Sequence, residues 1–447
     1  MTNSAAEKYR VIFSFVPVIN YALQQNMIPA VRRLIVVNDS NAPLEGADIQ
    51  IEASPAFARP FLRRIELVPE HGTYEIKEPE LVLCPEFLSA LTEKCTGVLR
   101  VSLNRGTECL YSCDSQITVL AYDEWSGASV FPELLAAFVT PNHPEIAKIT
   151  AGASSLLEKW SGDPSIDGYQ THDANRALAQ AAAAYCALGG LDIVYSSPPA
   201  SFEKSGQRVR LADAVIGQKL GTCLDLSLLY CSCLEAMGLH PLIILKEDHA
   251  FAGVWLEDLS FPDAVTDDAS FITKRAADGV NEIAVIECTL FTAGKNASFD
   301  DARAYASREM SDMASVEYII DVSRARQSGI VPLPLRAERD DAAAGSRQEA
   351  ASPLPPRQCT VTETESAGEQ QPSKLTQWER KLLDLGLRNN LINMRLSQRV
   401  IPLLSFSPEA LEDALSDGGD FSVLARPADI KADTGAVSFE TLQTSGT

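Results

Sequence analysis

Residues Lys219-Leu-Gly-Thr-Cys-Leu-Asp-Leu-Ser-Leu-Leu-Tyr-Cys-Ser-Cys-Leu-Glu-Ala-Met-Gly-Leu-His240 decide the fold of the central part of this chain. Thr222 followed by Asp225 has the spacing of a capping box, with a hydroxyl at the N-cap and a carboxylate in the first turn. The spacing predicts a helix that begins at Cys223 and runs to Met237, with Gly238 as its stop. Apolar residues ring most of its circumference instead of forming one stripe, so a buried central helix is expected. A thiol at the first helical position faces unpaired backbone N–H groups and the positive end of the helix dipole. Both favour the thiolate. Cys223 is therefore read as a nucleophile, weighed against the plainer reading of a buried structural cysteine. Cys231 and Cys233 point to different faces of the same helix and are read as core.

Working outward, an apolar strand at 241–246 is followed by the turn Glu247-Asp248, and His249 opens a second strand. A third strand at 282–289 carries Glu287 among apolar neighbours, where a carboxylate is costly unless it has a partner. A helix start beside two strands that present an imidazole and a carboxylate is a workable set for a thiol nucleophile, its base and the orienting group. His249 would take the Cys223 proton and later protonate a leaving amine, while Glu287 would fix the imidazole tautomer. Asp258 is the fallback third member. The backbone N–H of Cys223 is one oxyanion donor, and either Gln207 or Gln218 is a side-chain candidate. The acidic loop at 257–281 reads as a lid or as a plain solvated insertion, and His240 as a surface residue. A last strand is expected at 316–322.

Toward the N-terminus, short apolar runs separated by Asn38-Asp-Ser-Asn, Glu70-His-Gly and Asn104-Arg-Gly predict strands at 11–15, 33–37, 47–52, 61–68, 75–83, 97–103 and 116–122. Strands at this spacing suggest a β-sandwich over 8–123, with a short helix at 85–93. Helical patterns follow at 132–138, 144–160 and 173–188. The organisation is thus α+β and multidomain: a β-sandwich at 8–123, an α+β unit with N-terminal helices at 130–335, a disordered linker at 336–374, and a small mixed fragment at 375–447. The linker shows as a shift to Ala, Gly, Ser, Pro, Gln and Glu.

The 447 residues carry 60 acidic and 38 basic side chains, a formal charge of −22. Such a surface repels phosphate backbones, so direct nucleic-acid binding by this chain is not expected. Its N-terminus lacks the features of a secretory signal, and no apolar run is long enough for a membrane span. The ten cysteines show no regular framework, which fits reduced thiols in the cytoplasm. Neither a metal set nor a P-loop is present, and no cofactor is expected.

The residues then acquire a family likeness. Gly221-Thr-Cys-Leu-Asp, His249 opening a strand that reaches Trp255, and Glu287-Cys-Thr resemble the three motifs of the bacterial transglutaminase-like cysteine hydrolase superfamily. There the third motif is usually Asp-x-Thr, so Glu287 is a departure. Pro198-Pro-Ala-Ser-Phe-Glu-Lys-Ser-Gly-Gln-Arg-Val-Arg, Leu120-Ala-Tyr-Asp-Glu-Trp and Lys381-Leu-Leu-Asp-Leu-Gly-Leu-Arg-Asn-Asn-Leu-Ile-Asn are similar to one branch of it. That branch sits at the N-terminus of large superfamily I helicase-linked proteins, before an uncharacterised domain. The resemblance implies a papain/transglutaminase-like core over 171–335 with Cys223, His249 and Glu287 as its triad. A protein or peptide substrate, a helicase-like protein partner and a role in bacterial defence are implied with it. The chain itself reads as a truncated or split relative. Two function classes stay open: an active cysteine peptidase or amidase, and a silent interaction scaffold of the same fold.

Overall fold

Alternation of apolar and polar residues with a period of two fixes the strands of the N-terminal region. They are β1 (Tyr9–Phe15), β2 (Val18–Ile19), β3 (Val31–Asn38), β4 (Leu44–Ser54), β5 (Phe61–Val68), β6 (Thr73–Glu75), β7 (Cys95–Arg105) and β8 (Glu108–Val119). Short helices α1 (Tyr21–Gln25) and α2 (Pro85–Ala90) interrupt them. The computed structural model describes residues 8–335 except 78, 128–130, 198–205, 278 and 313–314, and these lie in one compact unit. The linker expected at 336–374 and the fragment expected at 375–447 lie outside the described residues.

Two sheets result, one in the order β1-β3-β6 and one in the order β2-β8-β7-β4-β5. Ala47, Ile49 and Ile51 of β4 and Leu99, Val101 and Leu103 of β7 turn inward, and they share one core with Leu34 and Val36 of the smaller sheet. The outer face of the larger sheet carries ion pairs such as Arg64–Asp48 and Arg100–Asp114. One expected strand is shorter than its apolar pattern suggests. The run at 75–83 is paired only as far as Glu75, and Leu83 makes an isolated bridge to Ala58. Pro79 interrupts it, and a residue without an N–H cannot continue a ladder. Conversely β8 begins well before the expected 116, because its first half is exposed and lacks the apolar alternation of a core strand.

Beyond β9 (Glu124–Trp125) and a 3-10 turn at Pro132–Phe138, two long helices follow, α3 (Pro144–Ser161) and α4 (Ala174–Gly189). The alanines of α4 let it lie close against its neighbours, and Ala177, Ala181, Ala182, Ala183 and Ala184 are all buried. Three short strands, β10 (Val194–Tyr195), β11 (Gln207–Arg208) and β12 (Leu220–Gly221), and helix α5 (Ala212–Gln218) lead to α6 (Cys223–Ala236). Every residue of α6 from Cys223 to Leu234 is buried, as its all-round apolar pattern predicts. Gly238, in the left-handed region at φ +76°, follows its end.

Helix α6 lies against a sheet in the order β15-β17-β13-β14-β16, formed by β13 (Pro241–Lys246), β14 (His249–Trp255), β15 (Val265–Thr266), β16 (Ile283–Ile286) and β17 (Val316–Asp321). All its pairings are antiparallel. Ile243, Leu245, Ala250, Ala252 and Val254 join the core that holds α6. Leu242, Ile244, Phe251 and Trp255 face a second cluster on the other side. That is why β13 is an unbroken apolar run: both faces of the sheet are covered. Helices α7 (Ser270–Arg275) and α8 (Phe299–Met310) help to build the second cluster, through Ile272 and Met310, and α9 (Val322–Gln327) follows β17. The insertion at 257–281 is anchored there too, with Phe261 edge-on to Trp255 and Arg275 over both rings. It is a packed layer on the sheet's far face. The described residues are thus a mixed α/β structure, and no helix among them is long and apolar enough to cross a membrane.

Candidate active site

The start of α6 is built as its sequence requires. Thr222 Oγ1 accepts from the Asp225 N–H at 3.3 Å, and Asp225 Oδ2 accepts from the Thr222 N–H at 2.9 Å. Asp225 is buried and does more than cap. Its Oδ1 accepts from the Arg210 backbone N–H at 2.8 Å, and Arg210 Nη1 reaches Oδ2 at 3.1 Å. A guanidinium therefore balances a carboxylate that would otherwise be costly to bury. Cys223 is the first helical residue and is 1% exposed. Its backbone N–H belongs to the helix terminus, where no carbonyl of a preceding turn exists to accept it.

His249 opens β14 after a turn in which Asp248 adopts φ +58°. Its Nε2 lies 2.7 Å from Glu287 Oε2, and the Cys223 side chain interacts with the ring. With Nε2 committed to the carboxylate, Nδ1 is the ring atom left for the thiol. The edge of Phe251 packs against the imidazole, with ring centroids 4.6 Å apart. Burial works against the protonated ring, but the interactions with Cys223 and Glu287 and the charges of both outweigh it. Together they push the imidazole up to about 10.

Glu287 follows β16 and caps the 3-10 turn Cys288–Phe291: its Oε1 accepts from the Thr289 N–H at 2.9 Å. One carboxylate oxygen thus fixes the main chain and the other fixes the imidazole, with the group 2% exposed. Asp258 is engaged elsewhere, 3.6 Å from His240. The remaining histidines have other partners or positions. His143 caps α3, His71 bonds Asn41, and His172 sits in the left-handed region at φ +53°.

The two glutamines separate clearly. Gln218 ends α5 and is exposed. Gln207 is buried in β11, opposite Trp125 of β9, and its Oε1 has no hydrogen-bond partner. Three residues further on, Arg210 holds the first turn of α6. The structure also adds residues that the sequence did not single out. Tyr195 lies in β10, whose parallel pairing with β12 sets it opposite Gly221, two residues before Cys223. Ser227, one turn after Cys223, donates to the Ala250 carbonyl at 3.2 Å and ties α6 to β14 beside His249. Cys231 and Cys233 are fully buried, and burial pushes both thiols up, as expected for core positions. Among the described residues no cluster of His, Cys, Asp and Glu could hold a metal ion.

The arrangement has the parts for nucleophilic chemistry: a thiol at a helix N-terminus, an imidazole against it, and a buried carboxylate that sets the ring. Comparisons with known proteins add little to this geometry. The family described as "Protein of unknown function (DUF4011)" matches residues 381–445, the stretch that begins with the Lys381-Leu-Leu-Asp motif. No curated protein matches the chain.

Proposed function

We propose that this chain is a transglutaminase-like cysteine hydrolase that cleaves or transfers an amide of a protein or peptide substrate through Cys223, His249 and Glu287. The observation that carries the proposal is one imidazole engaged at once by Cys223 and by the buried carboxylate of Glu287. The Cys223 sulfur would attack the carbonyl carbon, with its proton on His249. His249 would pass that proton to the leaving amine as the C–N bond breaks, leaving a thioester on Cys223. Water, or a second amine, would then give up a proton to His249 and release the acyl group. The Cys223 N–H would meet the developing oxyanion, with Gln207 as the side-chain candidate for a second donor.

A buried helix that opens on the thiol and packs on an antiparallel sheet supports a papain/transglutaminase-like core, and the two sheets before it support a β-sandwich. The cytoplasmic, helicase-linked setting, with a helicase-like partner and a defence role, belongs to the same proposal and rests on the sequence resemblance. One observation favours the second reading, a silent interaction scaffold: Cys223 is 1% exposed. Intact-protein mass spectrometry with a peptidyl electrophile separates the two. A hydrolase forms one adduct at Cys223 that Cys223→Ala abolishes and His249→Ala slows by roughly a hundred-fold or more. A scaffold reacts at Cys223 no faster than a simple thiol, with or without His249.

A further inference from the structure

The sheet brings the site residues together only in part. β14 pairs with β13 from His249 to Val254, but its pairing with β16 stops at Ala252 and Ile286, short of both His249 and Glu287. Helix α6 has no ladder to the sheet, so the place of the thiol relative to the imidazole depends on side chains that join α6 to the start of β14. Ser227 is such a side chain. Its Oγ donates to the Ala250 carbonyl at 3.2 Å, from one turn after Cys223 to the residue after His249. Both residues are 0% exposed, so water cannot take the place of this bond if it is lost.

A serine inside a helix has a nearer acceptor, the carbonyl four residues back. Ser232 of α6 uses it, donating to Leu228 at 2.7 Å. For Ser227 that carbonyl belongs to Cys223, yet the hydroxyl is directed to the strand instead. α6 also packs against the 3-10 turn that Glu287 caps, and there the Ser227 hydroxyl interacts with Cys288, the residue after Glu287. We propose that Ser227 is a positioning residue of the site, which holds the helix carrying Cys223 at the distance from β14 where His249 meets the thiol. It touches no substrate and acts through the imidazole. Its value to the reaction rests on the hydrolase proposal, whereas the alignment it sets does not.

The test compares Ser227→Ala with the parent in the native full-length chain. The rate of Cys223 adduct formation with the peptidyl electrophile should fall about ten-fold. In a His249→Ala background the same substitution should change nothing, because the two residues act as one unit. Histidine-selective nitrogen NMR reads the alignment without any reaction, with His249→Ala assigning its signal among the five histidines. With the thiol less closely held, the His249 titration should move to lower pH by about half a unit or more. The other four histidines should stay in place and report an intact fold. A rate that is unchanged, or lost equally in both backgrounds, overturns the proposal, and so does a His249 titration that does not move. If the parent reacts no faster than a simple thiol, the hydrolase proposal fails, and the titration alone decides for or against the alignment. If the other four histidines also shift, Ser227→Cys, similar in size and a weaker donor, replaces Ser227→Ala with the same outcomes.

Discussion

The two-sheet region at 9–119 and the unit built on α6 treat charge in opposite ways. In the first, polar side chains go outward, and ion pairs such as Arg100–Asp114 stand 57% and 49% exposed. In the second, Asp225, Glu287 and Asp321 are buried, and each is fully engaged. Asp321 accepts from Trp255 Nε1 and from the Phe261 and Arg324 N–H groups. A buried carboxylate costs several kcal/mol unless its oxygens are satisfied, so nothing in the fold alone requires three of them. Asp321 anchors the insertion on the far face of the sheet. The other two lie at the start of α6 and against His249, the groups on which the proposed function rests.

The comparison is broken most severely at Glu287. Replacing it with alanine leaves the Thr289 N–H and the imidazole without their acceptor, and should cost about 2–4 kcal/mol in a denaturant titration. Glu287→Gln keeps the shape and should recover part of that loss. The charge has its own signature. His249 is raised from 6.5 to about 10. Whatever stability its protonated form contributes is therefore complete below 6.5 and lost as pH rises through about 10. Reaction at Cys223 that depends on the imidazolium should share that alkaline limb. In Glu287→Gln the limb should move to lower pH, and a limb that stays in place would separate the carboxylate from the site.

Asp225 ranks next. Asp225→Ala removes the capping box and frees Arg210, which is partly exposed and can be hydrated, so the loss should be about 1–2 kcal/mol. Fraying of the first turn would also displace the Cys223 N–H and sulfur. The variant should thus slow the peptidyl electrophile by more than its stability change explains. Loss of stability with an unchanged rate would show that the cap serves the fold and not the thiol.

How much of this was legible in the sequence depends on how local each signal is. The start of α6 is written within a few residues, from Thr222 to Asp225. His249 shows as a turn followed by a strand, and Glu287 as a carboxylate in an apolar run. Their convergence needed only that the helix lie on the strands. Tyr195 and Arg210 were not legible in that way. Tyr195 comes beside the start of α6 through a two-residue parallel pairing with β12, and Arg210 through a clamp onto Asp225. Neither contact leaves a periodic trace. The same holds for the sheet: β13 announces itself as a continuous apolar run, but the order β15-β17-β13-β14-β16 is set by tertiary pairing. In the N-terminal region alternation revealed β4 and β7, while Pro79 cut an apolar run that composition alone reads as strand.

The smallest expected effect lies on the outer face of the larger sheet. Arg100 and Asp114 are direct partners across β7 and β8 and meet through two hydrogen bonds, at 2.7 and 2.8 Å. By geometry this is as good a pair as the one between Arg210 and Asp225. Its surroundings differ, because both side chains stand in water, where solvent and salt screen the attraction and fixing two side chains costs entropy. The Arg100 guanidinium holds the Asp114 carboxyl below its ordinary value. What the pair adds is therefore present above that ordinary value and lost as pH falls through the lowered one. Arg100→Ala should leave the melting temperature at neutral pH unchanged within error, in low salt and in high. A fall comparable to that of Asp225→Ala would mean that burial is not what distinguishes the two regions, since the same contact would then count equally in both.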